Sequence, residues 1–447
     1  MKKTLLSAAV ALLCSACATT PPPAQQADTR LPAQWQLFEP GQAVTPDWAG
    51  LLDPQLAALQ GQALAANRDL AQAVKRWQRA ELLVQGAALD RQPTPSLSAS
   101  VGRDRRLDSG GRTGRSHSLS AGLGFEVDLW RRLAEGQNAQ AAQAEAQRTD
   151  IEAARLLIRS QVAERYWALA ALALEAPLLQ EQVQGAEQVL ALTRLRVREG
   201  KLLPIEIDKA AATLQGLHSR IALAERERSQ QRLALGLLLD QTEPTLPAQA
   251  QLPAGLPQAW QPPPPDQALA RRPDVQRARL QVDAALASQR GAEAARYPRL
   301  SFSLGLATGG ADAGDWLRHP LASLSANLLV PLIDWRRLDL QRQQALSEIE
   351  SSALALRDTL HKALVEIEGL AAERRELQAQ GAANAARLQE ALKAEKLAAL
   401  RFEVGSIARA DWLQIRNARL AAEQEAIQLR LRHWIHQAAL HKALASA

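Results

Sequence analysis

Cysteine is nearly missing from this chain, and both copies, Cys14 and Cys17, stand in its first segment. No disulfide therefore holds the mature fold together. Beyond that segment there is no run of about 18 apolar residues, the length a helix needs to cross a bilayer. Any membrane crossing must be made by strands. Aromatic residues supply only 4% of the chain, and the dominance of Ala, Leu, Gln, Arg and Glu is the balance of long packed helices. The net charge of +6 is spread along helical faces instead of blocked, so it reads as solvated surface and not as a nucleic-acid footprint. Signals for catalysis are lacking as well. Gly200-Lys201 has no preceding glycine of a phosphate loop, and no Ser/His/Asp arrangement stands out. His433, His436 and His441 read as charge near a helix C-terminus rather than as metal ligands. The expectation is a protein that is not an enzyme and holds no cofactor or metal.

What the chain does have is a duplication. Asp128-Leu129-Trp130-Arg131-Arg132-Leu133 recurs as Asp334-Trp335-Arg336-Arg337-Leu338. The offset, 335 minus 130, is 205 residues, and it also superposes Leu195-Arg196 on Leu400-Arg401, Gly200 on Gly405 and Glu206 on Asp411. Asn67-Arg68-Asp69-Leu70 falls over Arg272-Pro273-Asp274-Val275 by the same rule. One unit occurs twice.

The start, Met1-Lys2-Lys3 followed by Leu5 to Leu13, has the basic head and short apolar run of a secretory signal. Ser15-Ala16-Cys17 resembles a bacterial lipobox that would leave Cys17 as an acylated, palmitate-bearing first residue, although Cys14 stands where Leu is usual. The alternative is ordinary signal cleavage after Ala16. Ala18, rather than Asp, favours the outer membrane by that resemblance. The predicted organisation is a signal peptide at 1–16, a Pro- and Gln-rich tether at 17–52, one repeat at 53–240, a proline-rich linker at 241–265 and a second repeat at 266–447. Pro244, Pro247 and Pro262 to Pro265 bar any helix through that linker.

Each repeat opens with a helical run, Asp53 to Asp90 and Asp266 to Arg296. Two segments of period two follow. Leu97, Ala99 and Val101 alternate with Ser96, Ser98 and Ser100, and Leu119 to Leu129 alternate with Ser118, Ser120, Gly122 and Glu126. The second repeat does the same from Leu300 to Leu306 and from Leu324 to Leu332. Strands of about 10 residues, greasy on one face and small and polar on the other, are the mark of a membrane barrel around water, with a soluble sandwich edge as the alternative. Trp130 and Trp335, both at one end of these strands, are candidate interfacial aromatics. The connections Arg103 to His117 and Thr308 to Pro320 read as external loops. The first carries Arg103, Arg105, Arg106, Arg112 and Arg115, which reads as solvated, with lipopolysaccharide phosphate binding as the alternative.

From each Trp, 70 residues lead to Gly200 or Gly405, a rod of about 105 Å if helical. Ile151, Ile158, Val162, Tyr166 and Leu169 have the spacing of helices packed in coiled-coil manner. Pro177 is expected to kink the first rod. Glu206 to Asp240 and Asp411 to Ala445 run back. Four strands cannot close a barrel, and an open edge in lipid leaves backbone groups unpaired at several kcal/mol each. The chain must share its barrel with further copies.

The blocks Arg271-Arg272-Pro273-Asp274-Val275, Tyr297-Pro298-Arg299-Leu300-Ser301, Pro331-Leu332-Ile333-Asp334-Trp335 and Leu400-Arg401-Phe402-Glu403-Val404-Gly405-Ser406 resemble successive motifs of the outer-membrane efflux channels of the TolC kind. The lipobox points to the lipoprotein branch typified by OprM and NodT. The resemblance implies a mostly α fold with membrane β: a homotrimer with a shared twelve-stranded barrel in outer-membrane lipid and a helical tunnel through the periplasm. It implies a passive exit duct for drugs, metals or other small molecules. The partners implied are a periplasmic adaptor and an inner-membrane pump of the resistance-nodulation-division type. Arg198, Gly200, Lys201, Glu403, Val404, Gly405 and Ser406 would then dock the adaptor. Glu206 and Asp411 match acidic positions of the family's periplasmic gate, while Gln414 stands where a second acid is frequent. A lipid-anchored coiled-coil scaffold and a type I-like duct for secreted polypeptides are the competing readings.

Overall fold

The computed structural model describes residues 31–38, 53–105, 113–242, 244, 250–254, 262–310, 320–331 and 333–445. In chain order these hold α1 (Pro54–Ala66), α2 (Arg68–Leu89), β1 (Thr94–Arg105), β2 (Thr113–Val127), α3 (Arg132–Arg198) and α4 (Ile205–Leu238). Then come α5 (Pro265–Arg271), α6 (Pro273–Ala294), β3 (Arg299–Gly310), β4 (Leu321–Leu329), α7 (Trp335–Glu403) and α8 (Arg409–Ala443). The signal segment and Cys17 lie outside the described residues.

Asp53 starts α1 by accepting the N–H groups of Gln55 and Leu56 (2.8 and 2.9 Å), with Pro54 at the first helical position. The helix does not run on to Asp90 as the pattern suggests. It breaks at Asn67 (φ −64°, ψ 126°), whose side chain takes the N–H groups of Asp69 and Leu70 and so begins α2. The second repeat breaks at the matching position, Arg272 (φ −69°, ψ 129°), so the predicted run Asp266 to Arg296 is also two helices. There the cause is Pro273, which pushes the residue before it out of the helical region. Two chemistries make one break.

The helix α3 is the hub. It packs against α1, α2, α4, α6 and α8, and the predicted stripe Ile151, Ile158, Val162, Tyr166 and Leu169 is buried. Trp167, 1% exposed, lies 5.4 Å from Trp434 of α8, ring centre to ring centre. Hiding a tryptophan of about 200 Å² contributes about 5 kcal/mol at 25 cal/mol/Å². Leu56, Leu70, Leu235 and Leu420 close the same core. The Tyr166 hydroxyl accepts the N–H of Gln251 (3.1 Å), tying the linker to this level, and burial pushes its pKa up to about 12. At Pro177 the helix continues without interruption. Proline removes one N–H bond, toward Ala173, and the helix spans that gap.

The four strands form one antiparallel sheet in the order β1-β2-β3-β4. Among the described residues β1 and β4 each have one strand neighbour, so both edges are open. Pro95 sits on an edge strand, where its missing N–H is tolerated. The first hairpin is longer than the pattern indicates: β1 continues to Arg105 and β2 begins at Thr113. Arg103, Arg105 and Arg115 are therefore sheet residues and not loop residues, while Arg106 and Arg112 lie outside the described residues. The strand expected to reach Leu332 ends at Leu329.

Part of the expected tether is docked. The Trp35 indole N–H donates to the carbonyl of Pro263 (2.8 Å). The backbone N–H groups of Gln36 and Leu37 donate to the two carboxylate oxygens of Glu368 on α7 (2.6 and 2.9 Å).

Candidate functional site

The sheet has two unlike faces. Leu97, Val101, Phe302, Leu304, Leu324 and Leu328 lie bare on one. The other is small and polar, with Ser98 bonded to Ser120 and Ser100 to Ser118, both at 2.7 Å between hydroxyl oxygens. A side chain at Gly122 or Gly305 would meet the hydroxyl of Ser96 or Ser323 at under 3.0 Å, so these serine-glycine pairs keep that face thin. No second sheet covers either face among the described residues. A large exposed apolar area marks contact with a membrane or a partner.

At the junction of strand and rod, Asp128 caps α3 by accepting the N–H groups of Leu133 and Ala134 (3.1 and 2.8 Å). Fitting that cap requires Arg131 to take a left-handed backbone (φ 61°). The second repeat lacks the extra Leu129, and its Asp334 makes no side-chain cap. Trp130 donates its indole N–H to Pro298 (2.9 Å) and stacks on Tyr297 at 4.9 Å. Trp335 lies under the guanidinium of Arg296, 4.1 Å away. Each tryptophan thus braces the connection from α6 to β3, half exposed at the rim.

At the opposite end of the rods, Gly200 (φ 70°) and Gly405 (φ 73°) end α3 and α7. Lys201 and Ser406 donate their N–H groups to Arg196 and Arg401, and the two glycines donate theirs to Val197 and Phe402. These paired bonds define a left-handed helix stop that a side chain disfavours. Arg198, Lys201, Glu403, Val404 and Ser406 are all exposed around the two turns. Lys201 holds the Glu199 carboxyl below its usual pKa.

Of the predicted gate residues, Glu206 and Asp411 stand in the first turns of α4 and α8, where the helix dipole favours their charge. No ion pair or hydrogen bond joins one to the other. Glu206 is paired with Lys209 (2.7 Å), while Asp411 and Gln414 are exposed. Near them Trp412 stacks on Phe402 at 5.4 Å, nearly parallel.

A sheet with two open edges and one bare apolar face, carried on rods of 67 and 69 residues, is the architecture of a shared barrel on a periplasmic stalk. A family model described as "Outer membrane efflux protein" matches residues 59–240 and 265–446. The chain belongs to that family. It is similar to the pyoverdine export outer membrane protein OpmQ of Pseudomonas aeruginosa, 28% identical over 470 residues, 99% of this chain and 96% of the relative. It is also similar to the cation efflux system protein CusC of Escherichia coli, 26% identical over 466 residues, 98% of each chain. Among solved structures, the open-state MtrE outer membrane channel of Neisseria gonorrhoeae superposes with a TM-score of 0.84 at 22% identity, covering 96% of this chain and 98% of that one. This outer membrane efflux protein is a channel subunit of an efflux system and resides in the outer membrane.

Sequence reasoning missed the charged cluster of this efflux protein above its tip. Arg416 and Arg419 of α8 reach Glu181 of α3 at 2.6 and 3.1 Å, and Arg419 reaches Glu395 of α7 at 2.9 Å. These partners are far apart in sequence, and each alone looks like solvated helix surface. Two of the three histidines stand otherwise than their spacing suggests. His433 and His436 are buried and bond the carbonyls of Leu377 and Leu370 on α7 (3.1 and 2.7 Å), and His441 faces Gln437 (3.2 Å). Burial lowers the His433 pKa, with further lowering from His436 and Arg432. His433 and His436 are seam residues between α7 and α8 and not charge at a helix end, while His441 stands in the last turn of α8, buried.

Proposed function

We propose that three copies of this chain close one twelve-stranded barrel by pairing β1 of each with β4 of the next, and that small molecules leave through it. The observation that carries this reading is the open-edged sheet with one bare and one hydroxyl-lined face. The number three comes from resemblance to the family, since physics asks only for about eight strands or more. In this reading 1–16 is a signal peptide and 17–52 a tether acylated at Cys17. Residues 53–240 and 266–447 are the two repeats, and 241–265 is the girdle between them. The two ranges matched by the family model support that division.

The exposed turns around Gly200 and Gly405 dock a periplasmic adaptor coupled to an inner-membrane pump, of the resistance-nodulation-division type by family resemblance. Asp411 lines a periplasmic constriction, with Gln414 beside it. Glu206, held by Lys209, is its weaker counterpart. Trp130 and Trp335 mark the lipid boundary nearest the helices. The names of similar proteins mention pyoverdine export and cation efflux, which supports small cargo over polypeptide.

Reconstitution of the purified chain in planar bilayers tests the channel, with stable single-channel conductance and a three-copy mass as the expected results. A water-soluble monomer without conductance would end the reading. Asp411→Asn is expected to alter conductance or its block by divalent cations. An unchanged current trace would remove Asp411 from the gate.

A further inference from the structure

The apolar face of the sheet does not stay apolar to its far end. Odd-numbered positions carry it through Leu97 and Val101 in β1 and Leu123 and Leu119 in β2, and the same alternation then passes His117, opposite Val101, and reaches Arg103, Arg105 and Arg115. All three arginines are exposed. The strand register sets Arg103 directly across from Arg115, with Arg105 one diagonal step beyond. Opposed cross-strand side chains start about 5 Å apart, and like charges in that relation repel. Among the side chains described, which exclude that of Asp104, no carboxylate pairs with any of the three.

Height along the strand says what these charges meet. Eight residues separate Val127 from Leu119, and at about 3.4 Å each with a tilt of about 40° they climb about 21 Å, most of a barrel's apolar band of about 25 Å. Arg115 stands four residues further, about 10 Å higher by the same geometry. Trp130 and Trp335 occupy the other rim. The arginines therefore lie on the lipid side, at headgroup level, at the end away from the helices. The second hairpin offers Thr308 and Ala322 on the same face near its described end and no arginine there.

We propose that Arg103, Arg105 and Arg115 form a binding site for the phosphate groups of outer-leaflet glycolipid, one site per chain. Two guanidinium forks facing each other make a cradle for a phosphate, which arginine binds through paired donors. The anion removes the repulsion built into the register. The proposal rests on the reading that this face of the sheet meets lipid.

The test uses the full chain in detergent, titrated with diphosphoryl lipid A and with the same lipid stripped of phosphate, and read by native mass spectrometry. The wild type is expected to prefer the phosphorylated lipid by about tenfold or more, as charged hydrogen bonds of this kind allow. The variant R103Q/R105Q/R115Q is expected to lose that preference while keeping wild-type conductance in planar bilayers. Should the triple variant not assemble, R103Q alone is expected to weaken binding by about threefold through loss of the facing pair. Equal preference in the wild type and the variant would overturn the site. Complete displacement of the lipid by excess inorganic phosphate would overturn its assignment to lipid. A wild type without conductance is the separate failure of the channel reading, and it would take this proposal with it.

Discussion

The rods α3 and α7 have nearly the same length, 67 and 69 residues, and both descend from a Trp-Arg-Arg-Leu junction to a left-handed glycine. Their surroundings differ. The first is wrapped by five helices of its own chain, whereas α7 packs mainly on α6 and α8 and leaves Leu354 and Val365, 65% and 64% exposed, along its free side. The first rod is covered within the subunit, and the second keeps one side bare. Apolar positions that stay bare at helical spacing mark a surface completed by assembly.

The largest test of this contrast is Trp167→Ala in α3, which should cost about 3–5 kcal/mol by opening a cavity, seen as a lower melting temperature in separated subunits and assembled channel alike. Leu354→Ala should cost under about 0.5 kcal/mol in the separated subunit, like other surface changes, yet lower the melting temperature of the assembly. Equal effects of Leu354→Ala in both states would erase the contrast. At the tips, Gly200→Leu with Gly405→Leu should strain each turn by about 1–2 kcal/mol and abolish efflux while the channel still assembles. Normal efflux by that double variant would refute docking there. At the junctions, Asp128→Ala should cost about 1 kcal/mol by removing a cap, while Asp334→Ala should change stability little. Similar melting shifts would show the two starts to be equivalent.

The smallest effect is one of pH, in the seam between α7 and α8. Burial keeps the His433 pKa below 6.5 in the fold, so the unfolded chain binds the proton first. Stability is complete above that value and falls as the pH drops through 6.5 and on toward the lowered folded pKa. The loss grows as the pH falls through that window and stops growing below the folded pKa. His433→Gln should flatten the melting temperature against pH, and an unchanged slope would assign the dependence to other groups.

Much of this was legible in one dimension. The 205-residue offset predicts both junctions and both turns, because each depends on residues adjacent in sequence, as a positive φ depends on glycine. Period two gives the strands, since each side chain's face follows from its number alone. The break at Asn67 was not legible, because asparagine without proline is an ordinary helix-surface residue until its side chain is seen capping. Nor were the bonds of Arg419 to Glu181 and Glu395, or of Glu368 to the tether, which arise only after helices distant in sequence are set side by side. The gate was legible only by family resemblance.

The grip on the N-terminal segment has its own consequence. A carboxylate that holds two main-chain amides reads no side chain, so these two bonds survive substitution at residues 36 and 37, while Trp35 adds its donated indole proton and an edge contact with Phe38. The strap is fastened by its backbone and indexed by an aromatic pair.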